Sequence, residues 1–325
     1  MIAITPSLQE FEVQVPASIA NLGAGFDTLA VAVQLYLRLR ATIMPGRGHL
    51  QFRFIDHELR GDNYIERAYR QIAGEHFDDL PALSIEVCSE IPMGAGLGSS
   101  AAAVVAGLRL YSAVAGPLPP QTMLELASSL EGHPDNASAA LLGGLTASCQ
   151  LPDGSVRAVR FSWPESLHLL VLTPDEPLAT SGSRAILPSS LPLADTVHNL
   201  QRVALFLHAV QSRDLSLLKC ALQDRLHQPI REKIVPGLKE ALKLQHPDLL
   251  GVCLSGSGPS VVALAERNFA TIAQLLASIY DQLRITYTIR TLRVHQEGRQ
   301  QIGSAEWPAV PRDDMAGNCR VSRLA

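Results

Sequence analysis

The segment that most constrains the fold of this chain is a glycine loop at residues 92–100, which reads PMGAGLGSS. The strand-like run IEVCSEIP leads into the loop, and a long stretch of mainly small and apolar residues follows it as far as Gly116 and Pro117. That stretch predicts a buried helix that Ser99 or Ser100 caps. Glycine lets a backbone approach a ligand closely, and the free N–H groups at a helix N-terminus bind anions. The loop therefore predicts a phosphate site at the start of a helix.

Two familiar phosphate-binding patterns do not fit this loop. The Walker pattern G-x-x-x-x-G-K-[ST] needs a lysine that is missing here, and the dinucleotide pattern G-x-G-x-x-G is not met. A glycine-rich helix entry that only packs tightly is the plain structural alternative. We consider it the weaker one, because a strand precedes the loop, a helix follows it, and two further glycine motifs occur in the chain.

Charge and cysteine usage narrow the classes of function. The 325 residues carry a net charge of −4, so no basic excess is present to neutralise a nucleic-acid backbone, and we expect no nucleic-acid partner. The five cysteines form no C-x-x-C pair, which argues against a zinc site or a disulfide framework. The uncharged run at residues 91–108 is interrupted by Pro92 and by glycines, which favours a loop and a buried helix over a membrane-spanning segment. We therefore expect no membrane partner. No basic region followed by an apolar one opens the chain, and we expect a cytoplasmic protein.

Strands and helices mix in both halves of the chain, which predicts two domains of the α/β or α+β class, and the family resemblance described below implies α+β. A turn near Asp153 and Gly154 marks the change between the halves, and we assign residues 1–160 to the first domain and residues 161–302 to the second. Residues 303–325 show little periodicity, so we expect a disordered tail. A homodimer is one assembly compatible with this sequence.

Three further motifs gather polar residues. They are PASIANLGAGFD at residues 16–27, EGHPDN at residues 131–136 and SGSGPS at residues 255–260. Loops between regular elements often carry binding groups. Each motif also has a structural interpretation: a chain-reversing turn for the first, a helix cap by the D-N pair for the second, and a hairpin connection for the third.

Taken in order, the four motifs resemble those of the homoserine kinase family in the GHMP kinase superfamily, over roughly residues 8–300. PMGAGLGSSAA and SGSGPS are similar to motifs of the whole superfamily, whereas PASIANLGAGFD and EGHPDNASAALLGG are similar to the homoserine kinase branch. Sugar and mevalonate kinases usually carry a lysine in the first motif, where this chain has PAS. The resemblance implies a two-domain GHMP kinase fold. Its N-terminal, ATP-binding domain would be like the second domain of ribosomal protein S5, and its C-terminal substrate domain would be ferredoxin-like.

The resemblance also implies a reaction. Members of this family transfer the γ-phosphate of ATP to the side-chain hydroxyl of L-homoserine, a step toward threonine, and Mg²⁺ accompanies the nucleotide. Two alternatives stay open: another GHMP kinase that acts on a different alcohol, and a non-catalytic member that binds ATP or a metabolite as a sensor.

Carried over residue by residue, the resemblance implies four groups of functional residues. The expected ATP contacts are Asn63, Pro92, Met93, Gly94, Ala95, Gly96, Leu97, Gly98, Ser99, Ser100 and Ala101. The expected Mg²⁺ ligands are Ser99, Ser100 and Glu131. The expected homoserine contacts are Asn21, Asp27, Asn136, Arg184 and Arg231. The catalytic group comprises Glu131 and Ser99, with Asp135 as a candidate general base that this branch does not clearly need.

The chemistry of a zwitterionic substrate suits these residue types. Asp27 can hold an ammonium group, and an arginine can grip a carboxylate through two parallel hydrogen bonds. For Arg184 and Arg231 the structural alternative is a surface ion pair, which contributes about 0–1 kcal/mol. Phosphoryl transfer depends more on positioning and charge neutralisation than on covalent help, so we expect direct in-line transfer.

Overall fold

A computed structural model describes residues 10–56, 61–176 and 184–297 of the chain. These residues form two β-sheets, each packed against helices, in agreement with the predicted α+β class. The predicted tail at residues 303–325 lies outside the described residues, as does the end of the predicted second domain. None of the described helices has both the length and the apolar character needed to cross a membrane.

The first sheet holds six strands in the order β3-β4-β2-β5-β6, with β1 paired to β2. They are β1 (Glu10–Ala20), β2 (Leu29–Arg47), β3 (Leu50–Phe54), β4 (Pro81–Ser89), β5 (Leu145–Gln150) and β6 (Val156–Phe161). Strand β2 shows why these segments are extended: from Leu35 to Ala41, buried residues alternate with partly exposed ones. This period of two is expected of a strand with one face in the core. Strands β3 and β4 run parallel, and the other pairs are antiparallel.

Four α-helices belong to this half, and a 3₁₀ turn (Gly74–Asp79) follows the first of them. They are α1 (Tyr64–Ala73), α2 (Ser99–Ala115), α3 (Pro120–Glu131) and α4 (Asp135–Leu142). Helix α2 is the central one, as its composition predicts, and most of its side chains are buried. A Cβ at Gly107 would lie 2.2 Å from the carbonyl oxygen of Ile65, so glycine is what lets α1 and α2 approach this closely. The buried helix fixes the place of the glycine loop that leads into it.

The second sheet holds four antiparallel strands in the order β10-β7-β9-β8. They are β7 (His168–Pro174), β8 (Gly251–Leu254), β9 (Val261–Ala265) and β10 (Tyr287–Leu292). The helices of this half are α5 (Leu193–Ser212), α6 (Leu218–Ala221), α7 (Gln228–Arg231), α8 (Leu238–Ala241) and α9 (Phe269–Leu283), with a 3₁₀ turn (Leu215–Leu217) before α6. Leu170 and Leu172 of the sheet pack in one core cluster with Ile272, Leu276 and Tyr280 of α9.

The predicted serine cap of α2 is wrong. Gly98 precedes the helix in the left-handed region (φ 68°, ψ 28°), and no side chain caps the helix there. Ser99 and Ser100 are the first two residues of α2, and the Ser100 hydroxyl donates to Glu131. The reason is space, because a Cβ at residue 98 would lie 2.1 Å from Oγ of Ser18. Only glycine fits at the cap position, so the serines are free for other contacts.

Three further elements differ from the sequence-based expectations. Residues 16–20 of the first glycine motif are the end of β1, and the turn begins only at Asn21. The D-N pair at residues 135–136 starts α4 but does not cap it with a side chain. Strand β6 has no counterpart in the prediction, because Val156 is its only buried residue and the strand lacks a buried alternating face.

Candidate active site

A cleft of about 330 Å³ is lined by residues from all four motifs. Most of the predicted site residues line it, namely Asn21, Asp27, Asn63, Met93, Gly94, Ala95, Gly96, Leu97, Gly98, Ser99, Ser100, Glu131, Asp135, Asn136, Arg184 and Arg231. Two predicted ATP contacts, Pro92 and Ala101, are not part of this lining, and Ala101 is fully buried in α2. Residues far apart in the chain thus share one cavity.

The glycine loop is held in place from the second half of the chain. Ser255 Oγ donates to the carbonyl oxygen of Gly96 at 2.6 Å, and the Ser260 amide donates to the carbonyl oxygen of Ala95 at 3.2 Å. A Cβ at Gly96, whose φ is +75°, would lie 2.3 Å from the Ser255 carbonyl oxygen. The motif SGSGPS therefore supports the loop through one side-chain and one backbone hydrogen bond, and its backbone leaves no room for a side chain at residue 96.

Ser18 supports the other side of the loop, and the sequence analysis did not single it out. It is fully buried, its amide donates to the Leu97 carbonyl oxygen at 3.1 Å, and its hydroxyl donates to Oδ1 of Asn136 at 2.7 Å. One sequence feature could have pointed to Ser18. It lies in the PAS stretch, where sugar and mevalonate kinases usually carry a lysine. Ser18 thus connects the first motif, the glycine loop and the start of α4.

A serine and a glutamate meet at the start of α2. Ser100 Oγ donates to Oε1 of Glu131 at 2.6 Å, and both line the cleft, as does Ser99. Burial raises the pKa of the Glu131 carboxyl, although the hydrogen bond from Ser100 and the charge of His133 pull the other way. A hydroxyl and a desolvated carboxylate are hard oxygen donors, the kind that Mg²⁺ prefers. These residues fit a divalent cation.

Asn63 has a structural partner in addition to its place in the cleft. Its Oδ1 accepts a hydrogen bond from the Glu66 amide at 3.2 Å, so Asn63 caps α1. Tyr64 and Ile65 line the cleft beside it. The start of α1 therefore faces the same cavity as the glycine loop.

The motif EGHPDN concentrates charge at the start of α4. Asp135 is buried, and its Oδ1 lies 2.7 Å from both Nδ1 of His133 and the amide nitrogen of Asn136. Burial lowers the pKa of His133, but the hydrogen bond and charge of Asp135, helped by Asp27 and Glu131, outweigh that effect, and the net pKa is raised. Asp27, His133 and Asp135 bring one ligand atom each within 4.8 Å of one another. These carboxylates make this end of the cleft favourable for a cation.

The turn after β1 brings two predicted substrate residues together. Asn21 and Asp27 both have positive φ (72° and 53°), and Asn21 Oδ1 accepts a hydrogen bond from the Asp27 amide at 3.1 Å. Asn21 Nδ2 donates to the Gly256 carbonyl oxygen at 2.9 Å. Arg184 Nη2 lies 2.7 Å from both carboxylate oxygens of Asp27. A carboxylate and a guanidinium are therefore paired in the cleft.

The second predicted arginine is far more buried. Arg231 is 3% exposed, its Nη1 donates to the Gly256 carbonyl oxygen at 2.9 Å, and burial lowers its pKa. The Phe26 ring lies beside both arginines, with its centroid 5.4 Å from Cζ of Arg184 and 5.5 Å from Cζ of Arg231. Sequence reasoning missed Phe26, although it stands in the quoted GAGFD stretch. The Phe26 ring gives both guanidinium groups an apolar neighbour in the cleft.

Comparisons with known proteins agree with this geometry. Residues 63–144 match the model of the GHMP kinases N terminal domain, and residues 206–282 match the model of the GHMP kinases C terminal region. The first range contains the glycine loop and EGHPDN, and the second contains Arg231 and SGSGPS. The predicted two-domain GHMP kinase fold is confirmed.

Full-length relatives narrow the family further. The chain is 38% identical to a homoserine kinase of Solibacter usitatus, over 83% of this chain and 90% of the relative. It is 40% identical to a homoserine kinase of Deinococcus radiodurans, over 80% of this chain and 86% of the relative. The crystal structure of the homoserine kinase from Cytophaga hutchinsonii is similar with a TM-score of 0.79 and 27% identity, covering 89% of this chain and 96% of the other. On this fold, these motifs and these similarities, the chain belongs to the homoserine kinase family of the GHMP kinases.

Proposed function

We propose that this chain transfers the γ-phosphate of ATP to the side-chain hydroxyl of L-homoserine and so forms O-phospho-L-homoserine, a cytoplasmic step of threonine biosynthesis. One arrangement carries the proposal. Asp27, Arg184 and Arg231 surround Phe26 in the same cleft as the glycine loop. A phosphate site and a site for an amino-acid zwitterion therefore lie side by side.

The nucleotide end of the proposed site is mainly backbone. ATP is the phosphoryl donor that a kinase of this family uses, and its phosphates would lie on the loop at residues 93–100 and the first turn of α2. Free N–H groups and the positive end of the helix dipole favour phosphate there. Ser99, Ser100 and Glu131 would hold Mg²⁺, which when bound neutralises part of the phosphate charge.

The acceptor end would exchange one ion pair for two. Arg184 forms an ion pair with Asp27. In our proposal the substrate ammonium takes Asp27 as its partner, and the substrate carboxylate takes Arg184 and Arg231. Charge-assisted hydrogen bonds of this kind contribute about 1.5–3 kcal/mol each. A zwitterion leaves the net charge of the site unchanged, whereas a neutral alcohol offers no carboxylate to the two arginines.

Asn136 would complete the acceptor site near the reacting atoms. It stands directly after Asp135, and its Oδ1 accepts the Ser18 hydroxyl hydrogen bond. This hydrogen bond fixes its amide group beside Ser18, whose own amide donates to Leu97 of the glycine loop. Asn21 would act on the other side, where it fixes the Asp27 backbone.

The proposed chemical step is direct in-line transfer. The homoserine hydroxyl oxygen forms a bond to the γ-phosphorus while the bond from that phosphorus to the bridging oxygen of ADP breaks. The hydroxyl proton passes to solvent or to the transferred phosphate. Because the transition state of phosphoryl transfer is loose, a strong base gives little advantage. Oδ1 of Asp135 also already has two hydrogen-bond partners, so we assign Asp135 to organising the cleft rather than to proton removal.

A coupled assay of ADP release tests this function directly. Homoserine, mevalonate, galactose and shikimate are offered in turn with ATP and Mg²⁺, and we expect turnover with homoserine only. Preferred turnover of another alcohol would instead support a different GHMP kinase. Binding of ATP without turnover of any of the four would support the sensor, and either result contradicts the proposal.

A further inference from the structure

A histidine that the proposed reaction does not use lies directly behind the substrate arginine. His227 is fully buried and precedes α7, the short helix that ends with Arg231. Its Nε2 lies 2.8 Å from the carbonyl oxygen of Gly23, and its Nδ1 lies 3.1 Å from Nη1 of Arg231. Both ring nitrogens therefore have partners, and the two partners belong to different parts of the cleft.

The partners determine the protonation of the imidazole. A guanidinium can only donate hydrogen bonds and a carbonyl oxygen can only accept them. Nδ1 of His227 must therefore accept from Arg231, and Nε2 must donate to Gly23. Only the neutral imidazole with its proton on Nε2 satisfies both contacts.

The neighbouring carboxylate does not require a charged histidine. Asp224 Oδ1 accepts from Nδ2 of Asn199 at 2.6 Å and from the Leu226 amide at 2.9 Å. Its Oδ2 accepts from the amides of His227 at 2.9 Å and Gln228 at 2.6 Å, whereas Nε2 of His227 is 3.5 Å away. Four donors thus occupy the carboxylate. Burial lowers the pKa of His227, in agreement with a neutral ring.

Gly23 belongs to the turn that carries the ammonium side of the proposed site. This turn contains Asn21 and Asp27, and a Cβ at Gly23 would lie 2.3 Å from the Leu222 carbonyl oxygen. The Phe26 ring of the same turn is 5.3 Å from the His227 ring, measured between centroids. One imidazole therefore contacts the turn that holds Asp27 and the arginine that would bind the carboxylate.

We propose that His227 is a positioning residue, which holds Arg231 at a fixed distance from the turn of residues 21–27 so that both charges of a zwitterionic substrate are met together. This inference rests on the proposed function for the identity of the substrate, but the contacts of His227 do not depend on it. His227 does not itself line the cavity, and it reaches the cleft only through Arg231 and the turn of residues 21–27. Its removal should therefore weaken the acceptor site and leave the nucleotide site unchanged.

Two substitutions separate the two hydrogen bonds. In His227→Gln the side-chain amide can still donate to Gly23, but no atom replaces Nδ1 as an acceptor for Arg231. In His227→Asn the side-chain oxygen can stand where Nδ1 stood, and the donor to Gly23 is lost. We expect His227→Gln to raise the KM for homoserine roughly tenfold, with the KM for ATP within about twofold. His227→Asn should raise the KM for homoserine less. Equal rises in both KM values would contradict the proposal.

A double-mutant cycle shows whether the effect passes through Arg231. If it does, His227→Gln added to Arg231→Ala should raise the KM for homoserine no further, because the group being positioned is already gone. A full tenfold addition in that background would overturn the proposal. His208→Gln, at an exposed position of α5, is the matched control and should match the native protein in every constant.

A spectroscopic measurement covers the case in which the variants do not fold. ¹⁵N chemical shifts of the His227 ring in the native protein should show a neutral imidazole protonated at Nε2. A ring protonated at Nδ1, or at both nitrogens, would refute the proposed contacts. This readout needs no turnover. If the native protein does not phosphorylate homoserine but its His227 ring is protonated at Nε2, the proposed function is wrong and the proposed contacts of His227 are still supported.

Discussion

The two ends of the cleft are built from different chemical groups. At the proposed phosphate end, the loop of residues 93–98 is supported by backbone contacts and by glycines with no space for a Cβ. At the proposed acceptor end, charged side chains face the cavity and bond to one another, as Arg184 does with Asp27. The kinases of a superfamily share the triphosphate of ATP as a substrate group, whereas the acceptor alcohol differs between them. Backbone recognition therefore suits the first end and side-chain recognition the second.

This difference predicts how each end responds to substitution. At the phosphate end a single added methyl group must displace backbone, which affects both folding and catalysis. At the acceptor end a truncated side chain removes one charge and leaves the backbone in place. Truncating the half-exposed Arg184 should change the KM for homoserine with little effect on stability. Truncating the buried Arg231 also removes hydrogen bonds to Gly256 and His227 and should lower stability as well.

The largest effect is expected from Gly96→Ala. The new Cβ would lie 2.3 Å from the Ser255 carbonyl oxygen and 2.8 Å from that of Gly258, at a φ of +75°. We expect kcat/KM for ATP to fall at least about 100-fold and the free energy of unfolding to fall by about 3 kcal/mol, from overpacking and left-handed strain together. Steady-state kinetics and chemical denaturation measure these quantities.

Gly154→Ala is the matched control for backbone strain. Gly154 also has a positive φ (+84°), but nothing lies within 4 Å of its added Cβ. This variant should lose about 1–2 kcal/mol of stability and keep its activity. If both variants behaved alike, steric contact in the loop would not be what distinguishes the phosphate end.

Arg231→Ala tests the acceptor end and should have the next largest effect. Arg231 is 3% exposed, so solvent cannot replace the lost guanidinium. We expect the KM for homoserine to rise about 100-fold and the KM for ATP to stay within twofold. The opposite pattern, a higher KM for ATP with an unchanged KM for homoserine, would show that Arg231 serves the nucleotide.

Arg184→Ala compares an exposed arginine of the acceptor end with the buried Arg231. The Arg184 side chain is 50% exposed and already shares its charge with Asp27, so its contribution is partly screened. We expect a rise of about tenfold in the KM for homoserine, smaller than for Arg231→Ala. Equal effects of the two substitutions would show that burial does not decide how strongly each arginine binds.

The phosphate end was the more predictable of the two from sequence. Alternating glycines before a helix with small residues are a local pattern, and the loop does lie at the start of α2. The exact cap was wrong because Ser18, which excludes a side chain at Gly98, is remote in sequence. Local patterns predict local backbone, but the atoms that crowd it come from other elements.

The acceptor end was predictable only where the family resemblance supplied the residues. Asp27, Arg184 and Arg231 line the cleft, and their binding of homoserine stays a prediction. Phe26 and His227 were missed, because their importance depends on contacts that no local pattern shows. His227 meets Gly23 across 204 positions of the chain. A buried histidine beside an arginine of the cleft cannot be distinguished from an ordinary loop histidine until the fold brings the partners together.

Asp135→Asn should have a small effect on catalysis. Asparagine keeps an acceptor oxygen for the Asn136 amide and loses only the charge. If phosphoryl transfer needs no base here, kcat should stay within about fivefold of the native value. A general base contributes about 10²- to 10⁴-fold, so a loss in that range would assign the proton transfer to Asp135. Asp153→Asn, in an exposed turn outside the cleft, controls for the loss of a charge.

The smallest effect concerns the pH dependence of stability at His133. Its pKa in the folded protein is raised above the ordinary 6.5, since the hydrogen bond and charge of Asp135, with Asp27 and Glu131, outweigh the opposing effect of burial. A raised folded-state pKa means that the imidazolium stabilises the fold fully below pH 6.5, and that this stabilisation is lost as the pH rises through the folded-state pKa. The native Tm should therefore exceed that of His133→Gln by more at pH 6 than at pH 8.5, by at most about 3 °C.

His208→Gln at an exposed site should show no such trend, which separates the effect of the cleft from a general loss of histidine charge. A Tm difference between the native protein and His133→Gln that does not vary with pH would mean that the pKa of His133 is the same in the folded and the unfolded protein. The surrounding carboxylates would then not stabilise its imidazolium. Because three carboxylates raise the pKa of His133 and burial opposes them, the pH trend tests whether side-chain charge, rather than backbone, organises this end of the cleft.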